Sequence, residues 1–400
     1  MLLPPNLGFT NFNEFFRAFL WVVFDSHFLW LPIILCFVGW KIWLHYIKYK
    51  FVQSIEWVLL EIKLPREITK SPKSIEVILN TFQQTYEGER WQQLFQGTIR
   101  TWWSFEIASI GGDIHFYIYT QKFFRNLVES QVYGQFPDAE IEEVEDYSKA
   151  NYPLNTMGKD WDCWGAEYKL ANDDSYPIKT YVDYGLDQLS TEEEQKTDPL
   201  TSFLELIGSI SPDEQIWYQV ILRATKTDWK KNGEDLVNKL MKRDKKAPTG
   251  EKLDFGALLL SPGERSTIEA IEKSFSKQAF DVGIRTMYFA PKGKINVMYG
   301  PAITGCMKQY NSLDLNGFKA INTPSANFFR VKQRKTSIKM DLLNAYRHRS
   351  HFYMPYPRKS FVLNTEEVAT IFHFPGAVAE TPTLGRIEAK KSEAPTNLPF

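Results

Sequence analysis

Between residues 104 and 120 the chain reads SFEIASIGGDIHFYIYT, and the reading of this stretch decides the fold. Apolar residues alternate with others on both sides of Gly111-Gly112-Asp113, the signature of a β-hairpin closed by glycines that accept positive φ. Upstream, EWVLLEIKLP (residues 56–65) is rich in strand formers and stopped by a proline. SPKSIEVILNTFQQTY then opens on Ser71-Pro72 and sets Ile75, Ile78, Leu79 and Phe82 at helical spacing. Downstream, QKFFRNLVESQVYGQFP repeats that spacing through Phe124, Leu127, Val128 and Val132, and AEIEEVEDY follows as a strand. The order β-α-β-β-α-β predicts a ferredoxin-like domain over residues 53–150.

Residues 151–372 read as a second α+β domain, a diverged copy of the first in pattern although no residue string recurs. WGAEYKLA near residue 164 is a strand, and the acidic run TEEEQKTD is a solvated connector. DPLTSFLELIGSISPDEQIWYQVILRAT gives a helix, a turn at Ser211-Pro212 and a strand from Gln215 to Ala224. Residues 230–252 form an exposed lysine-rich helix and loop. SPGERSTIEAIEKSFSKQAF carries a capped helix with Ile268, Ile271 and Phe275 on one side, and FDVGIRTMYFA and FVLN complete the strands. The expected class is therefore α+β, with two ferredoxin-like (βαββαβ-type) α/β sandwich units.

Ahead of both lies FLWLPIILCFVGWKIWLHYI, residues 28–47, long enough to cross a bilayer core as a helix. Trp30, Trp40, Trp43, Tyr46 and Tyr49 crowd its ends as interfacial anchors do, and Lys41 can snorkel. A cleaved signal fits poorly, because no basic stretch precedes the run and bulky Trp43, Leu44 and Tyr46 stand where small residues belong. Residues 1–52 thus form a membrane anchor. FFRAFLWVVF (residues 15–24) is an interfacial helix or an extension of the span. Lys41, Lys48 and Lys50 on one side, against Arg17 balanced by Glu14 and Asp25 on the other, place residues 50 onward in the cytoplasm. At the far end, residues 373–400 make an extended tail, whose last part, TPTLGRIEAKKSEAPTNLPF (residues 381–400), has three prolines and no apolar period.

Composition excludes several function classes. A formal net charge of −1 does not mark a general nucleic-acid binder, and three scattered cysteines make neither a disulfide framework nor a zinc cluster. GPAITGCMK (residues 300–308) has the glycine spacing of a phosphate-binding loop, but Cys306 and Met307 occupy the positions of its Lys and Ser/Thr. His348 and His351 are spaced for a metal, yet flanking Arg347 and Arg349 repel a cation. No catalytic, cofactor or metal residues are expected. Tyr117 and Tyr119 could stack bases on an open sheet, but Glu61, Glu106 and Glu142 would point the same way and repel phosphate. One charged stretch remains: Arg330, Lys332, Arg334, Lys335, Lys339, Arg347, Arg349 and Arg358 against Asp341 alone. Phe328, Phe329, Tyr346, Phe352, Tyr353 and Tyr356 interleave with them. It can serve a nucleic-acid backbone, an acidic partner or anionic lipid, or be a solvated loop with snorkelling arginines.

Taken in order, WVLLEIKLPREITKSPKSIEVIL, the hairpin with its following helix, DPLTSFLELIGSISPDEQIWYQVILR, FVLNTEEVATIFHFPG and TPTLGRIEAKKSEAPTNLP carry a resemblance over most of residues 28–400. They resemble the N-terminal, membrane-anchored part of bacterial type IV secretion and conjugative-transfer ATPases (HerA/FtsK-like, TraG/TraD-like), as found in small-genome candidate-phylum bacteria. In that family a P-loop motor follows a segment like APTNLP, whereas this sequence stops at Phe400. The resemblance therefore implies either a split machine or the front part of a longer ATPase. In the split case this chain is a non-catalytic subunit at the inner membrane, in homo-oligomers, docking a P-loop ATPase supplied in trans. A membrane-tethered protein that binds DNA through residues 328–358 is the alternative.

Overall fold

The computed structural model describes residues 16, 20, 21 and 24–376, apart from 66–69, 151–159, 188–196, 242–259 and 326–330. Residues 377–400 of the expected tail and Arg330, Phe328 and Phe329 lie outside the described residues, as do Glu14, Arg17 and most of residues 15–24. The start of that tail is corrected: His373 and Phe374 are buried in the core rather than extended in solvent. The chain divides into two units, one of residues 1–54 with 88–98, the other of residues 55–87 with 99–400.

The first unit is built on helix α1, His27–Ser54, which is 28 residues long and contains Pro32. Its most apolar window has a mean hydropathy of 1.6 and none of it is buried, so α1 is long and apolar enough to cross a membrane. Ile47 is its one buried residue among those described.

The second unit is α+β, built on one continuous antiparallel sheet ordered β4-β1-β3-β2-β6-β7-β5-β8, with β9 pairing β7. Its elements follow the chain as β1 (Trp57–Lys63), α2 (Lys73–Thr81), β2 (Trp103–Ile110), β3 (Asp113–Gln121), α3 (Arg125–Gln135) and β4 (Glu140–Val144). Next come β5 (Trp161–Leu170), α4 (Pro199–Gly208), β6 (Gln215–Ala224), α5 (Trp229–Leu240), α6 (Pro262–Phe275) and β7 (Ala279–Pro291). The last are α7 (Tyr299–Met307), β8 (Phe318–Ile321), α8 (Val331–Arg347), β9 (Phe361–Asn364) and α9 (Thr365–Ile371). The first four strands lie in the order 4-1-3-2. Counted from β5, the next four lie in the same order read backwards, with α5 and α6 inserted between the second and third. The seam between the halves is β2 on β6, paired from Trp103↔Leu222 to Ile110↔Gln215.

Local chemistry explains the elements. The turn joining β2 to β3 has φ of +64° at Gly111 and +100° at Gly112, the double left-handed geometry that matches strand twist. A Cβ on Gly111 would stand 2.8 Å from the Pro212 carbonyl oxygen, so the turn also needs glycine for space. Asp198 caps α4 with Pro199 behind it, and Ser261–Glu264 and Asn364–Glu367 form capping boxes at α6 and α9.

Helices cover both faces of the sheet. On one, Leu60, Phe105, Phe116, Ile216, Val220 and Val282 share a core with residues of α2, α3, α4, α7 and α9. Phe372, just past α9, meets Phe105 edge-on with centroids 5.1 Å apart. On the other face, Leu59, Ala108, Tyr117, Trp217 and Phe289 lie beneath Leu342, Leu343 and Tyr346 of α8. With both faces covered, the central strands β6 and β7 are buried almost throughout, while edge strand β4 is not.

Two expectations are corrected by this layering. Glu106 does not point to solvent, since its relative exposure is 0%. The stretch 331–347 is a helix rather than a loop, held down by its own apolar stripe of Ile338, Leu342, Leu343 and Tyr346.

Candidate functional site: the charged row beneath α8

Strand register places one polar row straight across the sheet. Glu142 pairs with Glu61, Glu61 with Tyr117, Tyr117 with Glu106, Glu106 with Gln219, Gln219 with Arg285, and Arg285 with Glu167. Residues directly opposite in antiparallel strands share a face, so seven strands contribute to the same row. Its outer members meet solvent and are paired there: Lys63 with Glu142 at 2.6 Å, and His115 with Glu61 at 2.6 Å. Its inner members are sealed.

The seal comes from the basic stretch read in the sequence. Arg349, at 0% exposure, grips Glu106 with both arms, Nε to Oε1 at 2.9 Å and Nη2 to Oε2 at 3.0 Å. It also reaches Asp146 at 2.6 Å and the Arg347 carbonyl at 3.0 Å. Burial alone would drive this guanidinium's pKa down, but Glu106 and Asp146 outweigh it and hold the pKa well above the ordinary arginine range. Burial would likewise raise Asp146; the Arg349 charge reverses that and holds the carboxyl low. Glu106 is satisfied further by Ser104 Oγ at 2.6 Å, Tyr147 Oη at 2.8 Å and Gln219 Nε2 at 3.0 Å.

A second clamp sits two strands away. Arg285, also fully buried, donates to Glu167 at 2.9 Å, to Gln219 at 3.1 Å and to the carbonyls of Ala345 and Ser350. Arg358 bonds the same Glu167 at 3.1 Å and pairs with Asp341 of α8. Burial raises Glu167 toward neutrality, but Arg285 and Arg358 win and keep it ionised. His351 is driven the other way: burial, then the charges of Arg285, Arg358 and Arg223, push its pKa far down. The neutral ring accepts from Arg285 Nη2 at 3.3 Å and lies so close over β7 that a Cβ on Gly283 would fall 2.3 Å from Nδ1.

The predicted contact residues therefore divide. Arg349 and Arg358 are occupied inside the protein, and Lys339 is bound to Asp162 at 2.5 Å. Arg347 is half-buried at the end of α8. Lys332, Arg334 and Lys335 are exposed on its first turns. The surface reading is thus corrected for Arg349, which has no access to a phosphate. The aromatics divide in the same way: Tyr346 is buried, Phe352 lies under Arg223 at 4.3 Å, and Tyr353 meets Trp102 at 5.5 Å. Tyr117 and Tyr119 form no open stacking platform either. Tyr117 stacks on Tyr147 at 4.8 Å, and Tyr119 lies between Trp57 at 5.0 Å and Arg349 at 4.4 Å.

This arrangement can fasten and orient, since every guanidinium nitrogen of Arg349 and Arg285 has an acceptor and the buried carboxylates Glu106 and Glu167 are bonded. Among the described residues no cluster of three or more His, Cys, Asp or Glu is placed to hold a metal. A groove of about 670 Å³ between α5 and α6 is lined by Lys230, Glu234, Val237, Glu272 and Phe275.

A separate buried pair makes stability pH-dependent. His373 Nδ1 faces the Ala369 carbonyl oxygen at 3.0 Å and Nε2 faces Asp198 Oδ2 at 3.0 Å. Two acceptors call for two ring protons, hence imidazolium. Burial would lower the His373 pKa, but Asp198 outweighs it and raises it above its ordinary 6.5. A raised histidine pKa contributes stability in full below 6.5 and loses it as pH rises through the folded-state value. Asp198→Asn keeps the helix cap but removes the anion. It is expected to cost about 2 kcal/mol at pH 6 and clearly less at pH 8.5. Thermal unfolding of both proteins across that range checks this, and a pH-independent gap would contradict it.

No curated protein matches this sequence. Residues 52–386 match the family described as Domain of unknown function (DUF8128). That match takes in the whole sheet, both clamps and α8, and the chain belongs to the DUF8128 family.

Proposed function

We propose that this protein is a non-catalytic, membrane-anchored subunit of a type IV secretion or conjugative DNA-transfer machine. In this reading α1 fixes it as a single-pass protein in the inner membrane, with the second unit in the cytoplasm. That unit self-associates and docks a P-loop ATPase supplied in trans. The observation that carries it is α1 itself, a 28-residue apolar helix with none of its apolar window buried, followed in the chain by an α+β unit whose inner charges are spent on internal bonds. The resemblance of the sequence strings to the anchored part of transfer ATPases supplies the machine. The 4-1-3-2 strand order, met twice, supports reading the sheet as two ferredoxin-like units joined edge to edge. Lys41, Lys48 and Lys50 support the cytoplasmic orientation.

The test is affinity purification of the tagged full-length chain from detergent-solubilised membranes of its native host. Recovery of a HerA/FtsK-like P-loop ATPase in stoichiometric amount is expected. Recovery of the chain without one overturns the docking role.

One observation favours a second reading, in which the chain binds DNA at the membrane: Lys332, Arg334 and Lys335 are exposed on the first turns of α8. If they meet phosphates, the triple alanine variant lowers the slope of log K against log salt by roughly 3. Unchanged or absent DNA binding removes this reading.

A further inference from the structure

The first unit holds a segment that the spanning helix alone does not explain. After Glu87 the chain runs through GERWQQLFQGT, residues 88–98, which belongs with α1 rather than with the sheet. Gln92–Gln96 is a π-helical turn closed by Gly97 at φ +74°. This segment is pinned to one level of α1. The Trp43 indole donates to the Leu94 carbonyl at 3.3 Å. Gly97 passes so near α1 that a Cβ would stand 2.4 Å from the Ile47 carbonyl oxygen. Both contacts fall at the end of the apolar run, between Trp43 and Lys48, where a spanning helix leaves the hydrocarbon.

With its inner side held on α1, the segment turns two large aromatics outward. Trp91 is 50% exposed and Phe95 63% exposed. They stand four residues apart and so project to the same side of a helical turn. The Trp91 indole nitrogen is already bonded to Glu89 at 2.6 Å, leaving the ring as bare apolar surface. Trp40, Trp43, Tyr46 and Tyr49 are also exposed around that end of α1, and Lys48 and Lys50 follow. Aromatic rings beside lysines at a helix end suit the boundary between headgroups and acyl chains.

We infer that residues 88–98 are a second membrane-contacting element, which seats Trp91 and Phe95 in the headgroup–acyl boundary of the leaflet that α1 enters at Trp43–Lys48. The inference rests on the reading of α1 as a transmembrane span. Its occupant is the lipid boundary because the two rings extend the aromatic belt of α1 without a break. Two such rings would add to the resistance that the aromatic ends of α1 already offer to rotation and axial sliding of the helix.

The test is site-specific photocrosslinking. p-Benzoylphenylalanine replaces Phe95 in one full-length protein and Phe37, mid-span, in another. Each is reconstituted in phosphatidylethanolamine–phosphatidylglycerol vesicles, irradiated, and read by mass spectrometry for lipid adducts. Adducts at both positions are expected, each at least several-fold above the unirradiated control. Adducts at position 37 without any at position 95 overturn the inference while leaving the span intact. Protein–protein crosslinks from position 95 in place of lipid also overturn it and assign the aromatic pair to a protein partner. No lipid adduct at either position overturns the spanning reading and the inference with it.

Discussion

Replacing Arg349 with methionine is expected to lower the unfolding free energy by roughly 3–5 kcal/mol. Methionine fills much of the volume, so the loss is electrostatic. Glu106, at 0% exposure, keeps its bonds to Ser104, Tyr147 and Gln219 but loses the bidentate cation. Asp146, 13% exposed, keeps only Lys149 at 3.5 Å as a cationic partner. The decisive comparison is the double variant Arg349→Met with Glu106→Gln, which takes away the stranded charge. It should recover well over half of the loss, because removing both partners of a buried pair costs far less than removing one. Chemical unfolding of the full-length chain in detergent, followed by tryptophan fluorescence, measures both. A loss below about 1 kcal/mol for the single variant would show that water reaches Glu106 once the guanidinium is gone.

Trp217→Ala is the second large effect, expected at about 3–5 kcal/mol. Trp217 is fully buried on β6 under α8, with Phe289 at 4.3 Å, Tyr346 at 5.3 Å and Tyr147 at 5.3 Å between ring centroids. Its indole hydrogen bond to Gln215, at 3.1 Å, is lost as well. The resulting cavity opens under the buried end of α8, so the damage has a direction. Hydrogen exchange should rise in α8 well before it rises in α2 on the opposite face. Equal loss of protection on both faces would show that the two layers open as one cooperative unit. Phe123→Ala, at a position 87% exposed, serves as the near-neutral comparison.

Local signals in the sequence were enough for most elements, because turn glycines, capping residues and apolar spacing act over a few residues. The Gly111-Gly112 turn, the β1, β6 and β7 strands and the capped α6 all follow from such short-range chemistry. What covers a surface depends on residues hundreds of positions away, and there local reading ran out. Alternation correctly set Glu106, Glu61 and Glu142 on one face, but nothing nearby in sequence announced that Arg349 would close over Glu106 from 243 residues on. The acidic face and the basic stretch looked like two unrelated surfaces, and much of each is the other's counter-charge. The density of lysine and arginine in α8 also hid its apolar stripe of Ile338, Leu342, Leu343 and Tyr346. Strand β8 is four residues long, too short for a period to register. The row itself became readable only once strand register was known.

The seam between β2 and β6 sets an order of events while the chain is being made. The strands β1 to β4 are complete by residue 144, and β2 is then the outer strand of a finished half-sheet, with all but its last residue destined for burial. Its partner begins at Gln215, about 70 residues and therefore on the order of several seconds of translation later. During that interval the ribosome carries a half-sheet whose open edge is apolar and unpaired, able to zip onto the same edge of a neighbouring nascent chain on one messenger. Completion of the second half closes that edge, so the doubled sheet ends in β4 and β8, a partly exposed strand and a four-residue one.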